Sequence, residues 1–142
     1  MELVDFSLKA GLALLGGFSI GIEREIRHKS AGLKTNSLVS LGACVFVLLS
    51  LEFQGNPAVD PTRVIGQIVT GIGFIGAGTI LQRGSKVAGL TTAATIWCSA
   101  GVGCLAALGM FKELLVVCSL VILVNFFFSF AERKLFHKEP ED

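Results

Sequence analysis

The residues that could do chemistry in this chain fall into a few short groups. Glu23-Arg24-Glu25 sets two carboxylates around an arginine at the end of a long apolar run. Carboxylate oxygens suit a hard divalent cation such as Mg²⁺. The same acids could equally pair with Arg24, with Arg27 or with basic residues of a neighbouring loop. Asp60 and Arg63 form a second group. There an aspartate could cap a helix while an arginine anchors at headgroup depth, or the two could line the mouth of an ion path. Gly71, Gly73 and Gly76 spell G-x-G-x-x-G, the dinucleotide-binding pattern. That pattern needs a preceding strand and a later acidic residue in a βαβ unit. Here it lies inside an apolar run, so helix packing is the reading adopted.

No set of side chains points to an enzyme. There is no Ser/His/Asp arrangement, and His28 and His137 lie in charge clusters. Cys44, Cys98, Cys104 and Cys118 all fall in apolar runs without C-x-x-C spacing, which reads as packed, reduced thiols rather than zinc ligands or disulfides. The polar residues within apolar runs are Gln67, Thr70, Thr95, Ser99 and Asn125, none of them ionisable. Hydrogen bonds between helices are their default role. The lack of an ionisable group at mid-membrane depth argues against proton-coupled transport. No resident cofactor is called for. Mg²⁺ is the candidate ion at Glu23, Glu25 and Asp60, although the residues do not by themselves choose the metal.

The elements that must position these groups are membrane helices. The 142 residues are 52% hydrophobic and 16% charged, with net charge +1. Mean hydropathy is +0.72. Average soluble domains carry about 25% charged residues, and this balance gives no basis for nucleic-acid binding. The amino-terminal MELVDFSLK lacks the basic start of a cleavable signal, so the first apolar segment reads as retained. The pattern predicts an all-α membrane protein with five short spans at about 6–22, 36–53, 64–81, 91–109 and 114–131. A charged tail follows over 132–142. Asn36 or Ser37 could cap the second span, and Asp60-Pro61 reads as the entry to the third. The fifth, rich in Leu, Val and Phe, should face lipid most.

Orientation follows from the basic residues. Placing Arg24, Arg27, Lys29, Lys34, Arg83, Lys86, Arg133, Lys134 and Lys138 inside leaves only Lys9, Arg63 and Lys112 outside. The amino terminus is then outside and the carboxyl terminus cytoplasmic.

The third span is the glycine-rich one, with Gly66, Gly71, Gly73, Gly76 and Gly78. Gly66, Thr70, Gly73 and Ala77 make one stripe of small residues. Two readings stand. The glycines allow close helix contact with more than one neighbour, putting this span at the packing centre. Alternatively the helix unwinds locally and its backbone binds an ion.

Several blocks occur in an order that resembles the MgtC/SapB family of bacterial inner-membrane proteins. They are GIERE at 21–25, AGLKTNSLVSLGA at 31–43, Asp60 with Arg63, QIVTGIGFIGAG at 67–78 and VAGLTTAATIW at 87–97. Lys34 stands where the family more often has arginine. The resemblance carries Glu23, Arg24, Glu25, Gly32, Thr35, Asp60, Arg63, Gln67, Gly71, Gly73, Gly76, Gly78, Gly89, Thr91 and Thr92 as motif residues. It implies a multi-pass protein of the bacterial cytoplasmic membrane linked to magnesium limitation, acid stress or life inside host cells. Many relatives also carry a soluble ACT-type domain, so the chain reads as the membrane domain alone.

Two functional expectations follow. One is a non-enzymatic homo-oligomer that regulates a membrane partner, such as a subunit of an ATPase. The other is a transporter or channel for Mg²⁺ or another cation, with Glu23, Glu25 and Asp60 at its mouths.

Overall fold

The computed structural model describes residues 1–56 and 60–135, with side chains at all of these except Arg83 and 129–135. Five helices appear in order: α1 (Leu3–Ile26), α2 (Leu33–Leu51), α3 (Thr62–Ala77), α4 (Leu90–Ala107) and α5 (Phe111–Leu135). Between α3 and α4 lies an antiparallel hairpin, β1 (Leu81–Arg83) and β2 (Lys86–Ala88), with Gln82 opposite Val87. Helices α1, α2, α4 and α5 are long and apolar enough to cross a membrane; α3 is apolar but shorter.

The helix ends have local causes. After α1 the Lys29 N–H bonds the Arg24 carbonyl and the His28 N–H bonds that of Glu25. This is a Schellman ending, with His28 in the left-handed conformation at φ 54° where glycine is usual. Helix α4 ends the same way through Gly109, Met110 and the Leu105 carbonyl. Helix α1 therefore continues past the expected end at residue 22, and Glu23, Arg24 and Glu25 sit on its last turn rather than in a loop. Helix α3 stops at Ala77, short of the expected residue 81, and Leu81 belongs to the hairpin. Gly76 and Gly78 weaken the helix there. Gly89 opens α4 at φ 88°, where a Cβ would run into the Thr79 carbonyl. Helix α5 runs on through residues 132–135 of the expected tail, while 136–142, with His137 and Lys138, lie outside the described residues, as does Pro57.

Close approaches define the centre. A Cβ built on Gly17 would strike the Asn36 carbonyl, and one on Gly21 would lie 2.7 Å from Leu33 Cα. These contacts run antiparallel between α1 and α2. A Cβ on Gly103 would strike the Ser40 carbonyl and approach Ala43 Cβ to 3.0 Å. Together with the Asn36–Ser99 bond, that contact makes α2 and α4 parallel. The sulfur-containing and aliphatic core, with Cys44, Val47, Leu48, Val102, Ala106 and Cys118, fills the end near the start of α5. All four cysteines are free thiols.

The packing centre is thus α4 with α1 and α2, and not the glycine-rich α3 expected there. Of the α3 glycines, Gly76 lies against Ala93, whereas Gly66, Gly71 and Gly73 have open space beside them. Only Ile72 and Gly76 of this helix are buried. The contacts that need glycine come from α1 and α4 instead. Helix α5 does turn Leu115, Leu120, Leu123 and Phe126–Phe128 outward, as its composition suggests.

Candidate functional site

One face of α4 carries Thr92, Thr95, Ser99 and Gly103, spaced i, i+3, i+7 and i+11, a helical stripe. Each meets a different group. Arg24 Nη2 on α1 donates to Thr92 Oγ1 at 2.7 Å. Asn125 Nδ2 on α5 donates to Thr95 Oγ1 at 3.4 Å. Ser99 Oγ donates to Asn36 Oδ1 on α2 at 2.8 Å. Asn36 in turn gives its Nδ2 to the carbonyls of Ala31 and Gly32, at 2.5 and 2.9 Å. It is inside α2 rather than capping it. Ser40 Oγ closes the row by donating to the Ala13 carbonyl at 2.7 Å. The carboxyl end of α1, the amino ends of α2 and α4, and the later part of α5 therefore share a polar interior. Apolar side chains dominate the opposite half.

At the rim of this polar half the two candidate carboxylates separate. Glu25 Oε2 accepts from the Leu33 N–H at 3.2 Å, so this acid caps α2 from outside the helix. The carboxylate occupies the place where Gly32 would carry a Cβ. Glu23 stays on α1, its Oε1 2.8 Å from Arg27 Nε. Neither oxygen of this nearly buried carboxylate accepts a hydrogen bond among the described residues. The Arg27 guanidinium lies 4.6 Å from the centre of the Phe126 ring, a cation–π contact. Two residues apart on a helix, the side chains project to different sides, and each carboxylate has found its own partner.

Arg24 is 3% exposed, the most buried charge among the described residues. Beyond Thr92 it has no hydrogen-bond acceptor at Nε. Ser30 Oγ lies 3.4 Å from the same Thr92 hydroxyl. Thr91 is exposed at the surface beside it.

The second charged group lies at the other end of the bundle. Asp60 Oδ1 accepts from the Thr62 N–H at 2.9 Å and from Thr62 Oγ1 at 2.6 Å. These bonds, the hydroxyl's first, hold its carboxyl below its ordinary value, with a smaller contribution from Arg63. Asp60 thus caps the start of α3, as its place before Pro61 suggests. Gln67, Thr70, Gly71 and Gly73 are exposed on α3, and Thr70 Oγ1 bonds back to the Gly66 carbonyl at 3.0 Å. A cleft of about 230 Å³ near this end is lined by Val47, Leu51, Pro61, Thr62, Ile65 and Leu108 among others, and by none of the expected site residues. The structure brings Arg24 and Thr92 together and leaves Asp60, Arg63 and Gln67 apart from them. Asn36, Ser40 and Ser30 were not expected at the site. The small-polar periodicity of α4 was the signal available in the sequence.

A family model described as the MgtC family matches residues 11–134. The chain belongs to the MgtC family. It is 52% identical over 116 residues to Protein MgtC of Brucella abortus, covering 82% of this chain and 48% of that protein. It is 43% identical over 135 residues to Protein MgtC of Salmonella typhimurium, covering 95% of this chain and 57% of that one. The chain spans about half the length of the curated relatives it matches. No solved structure matches it. Family and helices together make it a multi-pass membrane protein.

Proposed function

We propose that this MgtC family protein is a non-enzymatic protein of the bacterial cytoplasmic membrane. It supports growth under magnesium limitation or acid and host stress by regulating a membrane partner, with an ATPase subunit as the leading candidate. The observation that carries the reading is the division of labour among the glycines. Gly16, Gly17 and Gly21 of α1 and Gly103 of α4 are consumed in closing the protomer, whereas Gly11 and Gly101 have open space beside them. Three of the four α3 glycines, Gly66, Gly71 and Gly73, stand open on a side of the helix that also carries Gln67 and Phe74, the latter 80% exposed. A glycine facing lipid gains no packing and costs helix stability, whereas one against another helix permits close contact. That face suits a second copy or the regulated partner.

The parallel arrangement of α2 and α4 supports five spans. A chain leaving the far end of α2 must return across the bundle to start α4. Helix α3 covers about 24 Å of that path at 1.5 Å per residue, and the residues leading into the hairpin extend it. With the basic residues inside, the amino terminus is outside and the carboxyl terminus cytoplasmic.

A cation conduit is the second reading, and it is favoured by the Glu23 oxygens, which accept no hydrogen bond among the described residues although Oε1 is paired with Arg27. Photo-crosslinking from position 74 in the bacterial membrane tests the leading one. Crosslinks to a subunit of a membrane ATPase under magnesium limitation are expected. Crosslinks to lipid alone would contradict it.

A further inference from the structure

We infer that Arg24, Thr92, Ser30 and the first turn of α4 form a binding site for a phosphate group. The inference does not depend on the identity of the regulated partner.

Charge balance is the starting point. Glu23 and Arg27 answer each other at 2.8 Å, and Glu25 is engaged at the start of α2. Arg24 is left with a neutral hydroxyl as its hydrogen-bond partner, although its residue is 3% exposed. Glu23 acts on Arg24 as well as on Arg27, so one carboxylate answers two guanidinium groups. A buried charge short of counter-charge is costly, and buried charges are normally paired. The Nε–H of Arg24 is buried with no acceptor among the described residues. A guanidinium in this state calls for an anion.

The surroundings specify the kind of anion. The 2.7 Å bond to Thr92 fixes the Arg24 guanidinium at the first turn of α4, an 18-residue helix. That helix has no side-chain cap, because its N-cap position is Gly89. Its first N–H groups and the positive end of its dipole are thus available to negative charge. Ser30 adds a hydroxyl within 3.4 Å of Thr92, and Ser30 is exposed, so the cluster opens at its rim. A guanidinium, two hydroxyls and a helix amino terminus are the donors that phosphate oxygens accept from. A carboxylate could use the guanidinium, but it has fewer oxygens for the remaining donors.

The phosphate could belong to a lipid headgroup or to a soluble phosphate. The full chain in detergent micelles is titrated with inorganic phosphate by calorimetry. In parallel it is placed in nanodiscs of phosphatidylcholine with one-fifth phosphatidic acid, and the retained lipid is weighed by native mass spectrometry. Saturable binding of inorganic phosphate identifies a soluble ligand. Selective retention of phosphatidic acid without it identifies the headgroup. In the positive arm, Arg24→Gln should weaken binding roughly tenfold or more and Ser30→Ala several-fold. Wild-type protein that binds in neither arm overturns the proposal, as does binding unchanged by both substitutions. Should Arg24→Gln fail to fold, the wild type and the surface variant Ser30→Ala decide it.

Discussion

Arg24 and Thr92, 68 positions apart in sequence, are joined at 2.7 Å where the end of α1 meets the start of α4. This bond ties the most buried charge among the described residues to the helix that touches every other helix of the bundle. Removing the acceptor leaves a buried guanidinium without a hydrogen-bond partner among the described residues, which costs more than the bond itself is worth. Thr92→Val should therefore destabilise the protein by about 1.5–3 kcal/mol. Thr91→Val, one position away and exposed, should stay within about 0.5 kcal/mol. Detergent-induced unfolding of the purified variants measures both.

The glycines should divide in the same way. Gly103→Ala would drive a methyl group into the Ser40 carbonyl. The two helices must then separate, at a cost of at least about 1–3 kcal/mol. Gly66→Ala meets open space within the protomer and should be neutral or stabilising by about 0.4–1 kcal/mol. Equal losses from the two would refute an α4-centred packing.

Gly73→Leu separates the protomer from its assembly. Gly73 also has open space beside it, so the monomer should remain folded. If α3 packs against a second copy, the bulky side chain should dissociate it. Crosslinking and light scattering before and after the substitution report the change.

The start of α3 should respond to acid. Asp60 is held below its ordinary value by its bonds to Thr62, so the charged form is favoured in the folded state. The contribution is fully present above the unfolded carboxyl's pKa of about 3.9. It is lost as pH falls through the lower folded value. Wild type and Asp60→Ala should thus differ in stability at pH 7 and converge as the pH falls below about 4. Unfolding curves across that range test the sign.

Much of the architecture was legible in the sequence because apolar runs and charged breaks are direct consequences of lipid burial. The helices around residues 6–22, 36–53, 91–109 and 114–131 each lie within or close to the helices found. Three features were hidden. Hydropathy falls at Glu23, yet α1 runs on through Ile26, because a buried arginine with a threonine partner is tolerated inside a helix bundle. The stripe of small residues on α3 reveals a smooth surface without revealing what lies against it. Gly17, Gly21 and Gly103 were the ones in backbone contact, and only their partners Asn36, Leu33 and Ser40 distinguish them. Glu23 and Glu25 likewise read as a pair in sequence, but the turn of the helix sends each to a different neighbour.

Regulation of a partner, rather than passage of an ion, is tested most directly by Mg²⁺ uptake into liposomes that contain the purified full chain and a trapped Mg²⁺-sensitive dye. The regulatory account predicts uptake no faster than in protein-free liposomes, with or without a membrane potential. Saturable uptake that Glu23→Gln abolishes while the fold is retained would contradict it.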